Sequence, residues 1–110
     1  MVIKEASIID AFDNLERVRI ALHETSEQDL AAREALKRKE AALLLSGAII
    51  GKNAESRAAE VRIGCRAEFL EAELARSALA EARLRMDLAV MKVDEIKLLI
   101  ENEKVLRGMA

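Results

Sequence analysis

The chain has 110 residues, of which 52% are hydrophobic and 35% charged, and its formal net charge is -2. It contains no proline, tryptophan or tyrosine and only two phenylalanines. A composition rich in alanine, leucine, glutamate, arginine and lysine is typical of long helices and coiled coils. We therefore expect one all-α domain over residues 1–110, too small for an enzyme cleft, and no enzymatic activity.

The candidate reactive side chains are isolated. Cys65 is the only cysteine, which excludes an internal disulfide and suits the reducing cytoplasm. His23 is the only histidine, so we predict neither a metal site nor a cofactor. The longest apolar run, residues 41–50, is too short to span a bilayer, and we see no secretory signal.

Two capping patterns divide the first half of the chain. Ser7 with Asp10 resembles a capping box and predicts a helix over about residues 8–24. Thr25 with Gln28 repeats the signature and predicts a kink or short break before a helix over about 27–45.

Residues 46–53 are the predicted turn. Gly47 is expected to end the preceding helix, because glycine enters the left-handed conformation without cost, and Asn53 is a strong N-cap for the next helix. The run from Gly47 to Asn53 superficially resembles a phosphate-binding loop. Its glycine spacing is one residue short, Asn53 replaces the magnesium-binding Ser or Thr, and a helix precedes it, so we favour a hairpin turn.

A long helix is predicted over about residues 54–107. Apolar residues at steps of three and four form a heptad seam from residue 72 to 100, whereas Gly64 leaves open whether the helix is kinked. A turn centred near Ile49 or Ile50 makes an antiparallel hairpin or coiled coil that places Ile8 opposite Met91. The last turns would then have no partner, so we expect a homo-oligomer with an interface formed by Leu79, Met86, Val93, Ile96, Leu99 and Ile100.

The basic residues are concentrated in the middle of the chain. Residues 33–66 contain eight basic and four acidic side chains, whereas residues 1–32 contain three and seven. Such a cluster can neutralise phosphates, although surface cations at this density can also serve only for solubility. The near absence of aromatic residues argues against base stacking. The candidate nucleic-acid contacts are Arg33, Lys37, Arg38, Lys39, Lys52, Arg57, Arg62 and Arg66.

The segment Gly51-Lys52-Asn53-Ala54-Glu55, followed by an arginine-rich helical run, resembles a segment of small helical phage and prophage proteins. The layout of a basic helix end, a short turn and a long helix resembles phage recombination mediator proteins. This resemblance implies a homo-oligomer in the bacterial host cytoplasm that binds single-stranded DNA and helps to load a recombinase. The alternative is a structural or adaptor coiled coil, such as a scaffold, chaperone or inhibitor, that docks a partner protein.

Overall fold

The computed structural model describes residues 3–109, and all regular secondary structure in that range is helical. Helix α1 spans Glu5–Leu45, α2 spans Ala54–Gly64 and α3 spans Arg66–Met109. Helix α1 packs against the long α3 in a hairpin. The all-α class and the hairpin with a long C-terminal helix are therefore confirmed.

Helix α1 differs from the prediction because it is continuous. The carbonyl oxygen of Lys4 accepts from the amides of Ser7 and Ile8 at 3.0 and 3.3 Å, so the helix begins before the predicted cap. It then passes through residues 23–28 without a break. A capping side chain contributes only about 1 kcal/mol, and no proline or glycine lies between Glu5 and Leu45 to end the helix. Backbone hydrogen bonding and packing therefore prevail over the local signal.

The connection between α1 and α2 covers residues 46–53. Gly47, two residues after the end of α1, has φ +75°, the left-handed conformation that was predicted for the glycine that ends this helix. Asn53 is the N-cap of α2, also as predicted, and its Oδ1 accepts from the amide of Ser56 at 2.8 Å. These two residues define where α1 ends and where α2 begins.

The predicted long helix is divided at Cys65. This residue has φ -110° and ψ 22°, outside the helical range, and separates α2 from α3. The preceding Gly64 makes a close approach, because a Cβ atom there would lie 2.6 Å from Cδ1 of Leu43 on α1. Because Gly64 has no side chain, Leu43 can pack against the end of α2. Cys65, the next residue in the chain, is buried.

The described residues form two compact units. Unit 1 contains residues 3–24 and 80–109, and unit 2 contains residues 25–79. The core of unit 1 joins Ala11 to Val93 and Ile96, with partly buried hydrophobic residues around them. The buried members of this core are an alanine, a valine and an isoleucine, so it contains no aromatic ring.

The predicted pairing of the two halves was wrong. Val93 and Ile96 were expected beyond the reach of the N-terminal half, but they pack against Ala11, with Ile8 and Ile100 alongside. The amide of Ile3 also donates to Glu103 Oε1 at 3.3 Å. The prediction assumed that the helices meet at a turn near Ile49 or Ile50, whereas residues 46–53 form an irregular connection. The position of the turn therefore did not determine the register.

Unit 2 buries one charged residue. Asp29 on α1 is 5% exposed, and its Oδ2 lies 3.1 Å from Arg33 Nε. Its Oδ1 has no hydrogen-bond partner among the described residues. Arg33 therefore compensates a carboxylate whose burial would otherwise be unfavourable.

Candidate nucleic-acid interface

All eight predicted phosphate contacts are exposed, and all belong to unit 2. Four lie on α1, one in the connection, two on α2, and Arg66 begins α3. Each can therefore meet a phosphate in solvent without first leaving a buried position. In chain order they are Arg33, Lys37, Arg38, Lys39, Lys52, Arg57, Arg62 and Arg66.

The cations of α1 do not share a single face. Arg33 and Lys37 are four residues apart and lie on one side of the helix. Lys37, Arg38 and Lys39 are consecutive, so they point in directions about 100° apart. The positive charge of α1 is therefore spread over more than one side of the helix.

Carboxylates neutralise only some of these cations. Arg33 pairs with Asp29, and Arg38 lies 3.7 Å from the exposed Glu34. Within residues 3–109 no carboxylate lies at ion-pair distance from the remaining cations. Among those, Arg57 and Arg62 have other contacts, which leaves four without a neighbouring acceptor: Lys37, Lys39, Lys52 and Arg66.

Glu60 holds the connection against α2. Its Oε2 accepts from the amides of Ile50 and Gly51, each at 2.9 Å. Arg57 Nη1 donates to the carbonyl oxygen of Gly51 at 3.4 Å, and a Cβ atom on Gly51 would lie 2.8 Å from the amide nitrogen of Arg57. The connection thus lies against the first turns of α2, with Lys52 exposed beside them.

This arrangement also bears on the phosphate-loop alternative. A phosphate loop offers free backbone amides to its ligand. Here Glu60 occupies the amides of Ile50 and Gly51 with its own carboxylate. The geometry therefore favours a closed turn between two helices.

An open groove of about 770 Å³ lies beside α2. Arg62 stands over the ring of Phe69, with 5.8 Å between the guanidinium carbon and the ring centroid. Glu40, Leu44 and Ile63 also line the groove. Sequence reasoning missed the contact of Arg62 with Phe69, because the two side chains lie on different helices on either side of Cys65, and no spacing within one helix reveals it.

Cys65 is fully buried, and burial raises the pKa of its thiol, with Glu68 and Glu40 adding to the rise and Lys39 opposing it. A raised pKa disfavours the thiolate that a nucleophile requires. His23 is exposed on α1. Among the described residues no three His, Cys, Asp or Glu side chains are grouped closely enough to hold a metal ion.

The predicted oligomer contacts divide into two sets. Leu79, Val93 and Ile96 are buried within one chain, at 6%, 3% and 4% exposed, and Val93 and Ile96 pack against Ala11 of the same chain. Their assignment to a surface between copies is corrected, since they have almost no surface left to cover. Met86, Leu99 and Ile100 are half-buried, and for them the interface remains a prediction.

No family model, curated protein or solved structure matches this chain. None of the helices within residues 3–109 is both long enough and apolar enough to cross a membrane.

Proposed function

We propose that this chain is a non-enzymatic helical protein that binds single-stranded DNA through its phosphates. It acts as an assembly of copies, an accessory factor of phage-type recombination in the cytoplasm of a bacterial host. The main observation in favour of DNA binding is the set of eight exposed cations on unit 2. The recombination role and a recombinase partner rest on the resemblance in layout to phage recombination mediators.

The local charge balance supports phosphate binding. Residues 33–66 contain eight basic and four acidic side chains. Of the four carboxylates, Glu34 lies beside Arg38 and Glu60 is bonded to backbone amides. An incoming phosphate therefore meets an excess of cations, and its binding releases counterions from the nucleic acid.

The same residues indicate how DNA would be recognised. Phe69 is the only aromatic residue in unit 2, and Arg62 lies over its ring. Extensive base stacking thus has no platform in this unit. Recognition would rely on the backbone, which makes it tolerant of sequence and sensitive to salt.

Charge reversal tests the assignment directly. The variant carrying Lys37→Glu, Arg38→Glu and Lys39→Glu removes three exposed cations of α1. If each contacts one phosphate, its affinity for a labelled single-stranded oligonucleotide should fall by roughly 100-fold at 0.1 M salt. Fluorescence anisotropy measures the affinity, and circular dichroism verifies that the helices remain.

A matched control separates the site from net charge. Arg83→Glu, Lys97→Glu and Lys104→Glu likewise change one arginine and two lysines, at exposed positions of α3 in unit 1. The control should bind at least tenfold more tightly than the α1 variant. Equal losses in the two variants, or no loss in either, would refute the assignment to unit 2.

The second candidate is an adaptor that docks a partner protein. The observation in its favour is the exposed apolar surface on α3, where Leu98 and Leu106 are 62% and 65% exposed. Ile96, which was predicted as an oligomer contact, does not belong to this exposed surface, because it lies in the core of unit 1. This candidate replaces the first if the oligonucleotide does not bind even at low salt.

A further inference from the structure

Glu60 holds two consecutive peptide groups of the connection between α1 and α2. Its Oε2 accepts from the amides of Ile50 and Gly51, each at 2.9 Å. Hydrogen bonds to an ionised carboxylate are roughly twice as strong as those between neutral groups. Residues 46–53 belong to no helix, so they lack the backbone hydrogen bonds that would otherwise order them. The carboxylate of Glu60 therefore supplies much of the order of this segment.

The backbone of Lys52 lies between two anchored neighbours. On one side is Gly51, whose amide donates to Glu60. On the other side is Asn53, whose Oδ1 accepts from the amide and the hydroxyl of Ser56 at 2.8 and 2.9 Å. The side chain of Lys52 is exposed. Lys52 thus offers its charge to solvent from a backbone position that is fixed against α2.

Close packing at Gly51 adds to this anchoring. A Cβ atom there would lie 2.8 Å from the amide nitrogen of Arg57 and 3.0 Å from Cβ of Ser56, so the connection lies directly against α2. Nη1 of Arg57 also donates to the carbonyl oxygen of Gly51 at 3.4 Å. The peptide group that precedes Lys52 is therefore held beside a second cation of the candidate set.

An ordered connection lowers the cost of binding through Lys52. A flexible loop that becomes ordered on binding loses conformational entropy, and this loss weakens the affinity. The connection is ordered by contacts within the chain, so that part of the cost is not incurred when a ligand binds. Lys52 is also one of the four candidate cations with no neighbouring acceptor within residues 3–109.

We infer that Glu60 is a positioning residue, which fixes the connection so that Lys52 contacts one phosphate of single-stranded DNA. This inference rests on the proposed function and adds to it an acidic residue on which the phosphate contact depends. The charge of Glu60 by itself opposes binding, because a carboxylate repels a phosphate. Positioning and charge therefore predict opposite changes in affinity when the carboxylate is removed.

The sign of this change is measured with Glu60→Ala. Alanine has the highest helix propensity, so α2 should persist, and circular dichroism verifies this. The affinity for a labelled single-stranded oligonucleotide, measured by fluorescence anisotropy at 0.1 M salt, should fall by roughly fivefold, as it should for Lys52→Ala. Glu60→Gln, whose side-chain oxygen can still accept from both amides, should bind within about twofold of the wild type. A loss as large as that of Glu60→Ala would contradict the inference.

The matched control is Glu55→Ala, which removes an exposed glutamate from the first turn of the same helix. Both alanine variants lose one negative charge, but only Glu60→Ala releases the amides of the connection. Glu55→Ala should bind as tightly as the wild type or more tightly. If Glu60→Ala behaves in the same way, charge alone governs the effect of Glu60 and the inference is overturned.

Two further measurements show whether Glu60 acts through Lys52. The double variant Lys52→Ala with Glu60→Ala should bind no more weakly than Lys52→Ala alone, whereas additive losses would mean that Glu60 acts elsewhere. The slope of log affinity against log salt should become shallower by about 0.7 in both single variants, because each loses one phosphate contact. An unchanged slope in Glu60→Ala would also contradict the inference.

Hydrogen exchange without DNA tests the anchoring itself. The amides of Ile50 and Gly51 should exchange roughly tenfold faster in Glu60→Ala than in the wild type. Equal exchange would overturn the inference and leave the proposed DNA binding intact. A wild-type protein that does not bind the oligonucleotide at low salt would refute the proposed function and this inference together, whereas tighter binding by Glu60→Ala refutes the inference alone.

Discussion

Cys65 occupies the junction between α2 and α3, and its surroundings determine how it titrates. Its side chain is fully buried, next to the Gly64 position where Leu43 closes in. Burial raises the thiol pKa above its ordinary value of 9.0, and Glu68 and Glu40 act in the same direction. The folded chain therefore retains the thiol proton at a pH where the unfolded chain has released it.

This difference predicts a loss of stability at alkaline pH. Below about pH 8 the Cys65 thiol is protonated in both the folded and the unfolded state, so its contribution to the free energy of unfolding is constant. Above the ordinary pKa of 9.0 the thiol ionises first in the unfolded state, and the free energy of unfolding falls until the pH passes the pKa of the folded state. The free energy of unfolding, measured with urea, should therefore fall more steeply above pH 9 for the wild type than for Cys65→Ala. The cavity that Cys65→Ala leaves lowers the free energy of unfolding of this variant equally at every pH, so it does not change how steeply that free energy depends on pH. Parallel curves would contradict the raised pKa.

Single residues also show what could be read from the sequence. Gly47 acts through its own backbone conformation, and Asn53 acts through its own side chain on a backbone amide three residues away. Both were predicted correctly. Glu60 bonds to amides nine and ten residues earlier in the chain. Nothing in its immediate sequence distinguishes it from an exposed glutamate, because its partners are defined only once the connection folds back on α2.

At the scale of the helices, the type of element was predictable and its continuity was not. The Thr25 and Gln28 pattern is a genuine capping signature, yet α1 passes through it. The long heptad pattern suggested one helix, yet Cys65 divides it. In both cases the outcome depends on packing between helices, which a local pattern does not contain. The register error has the same origin, since Leu43 meets Gly64 through tertiary contact.

The corrected pairing makes a prediction for unit 1. Ile96 is 4% exposed in the core, so Ile96→Ala should lower the free energy of unfolding by about 2 to 4 kcal/mol. The adjacent Lys97 is exposed, and Lys97→Ala should change it by no more than about 0.5 kcal/mol. Urea denaturation at one low protein concentration measures both. Similar losses for the two variants would mean that Ile96 does not belong to the core.

For the whole molecule, the concentration of basic residues in the middle of the chain becomes an exposed set of cations on unit 2. The sequence could identify these residues because charge and approximate position suffice for that purpose. It could not identify which cations are engaged, since the contacts of Arg33 with the buried Asp29 and of Arg62 with Phe69 require the fold. The cations without a neighbouring acceptor are the ones on which phosphate binding would chiefly depend: Lys37, Lys39, Lys52 and Arg66.

The measurement that tests the central proposal most directly is the salt dependence of single-stranded DNA binding by the wild-type protein. A labelled oligonucleotide is titrated in 50 and 200 mM salt, and fluorescence anisotropy gives the two affinities. If four cations each contact one phosphate, the affinity should fall by roughly 50-fold between these conditions, equally for oligonucleotides of different sequence. No binding at 50 mM salt, or binding that does not respond to salt, would contradict a phosphate-binding role for unit 2.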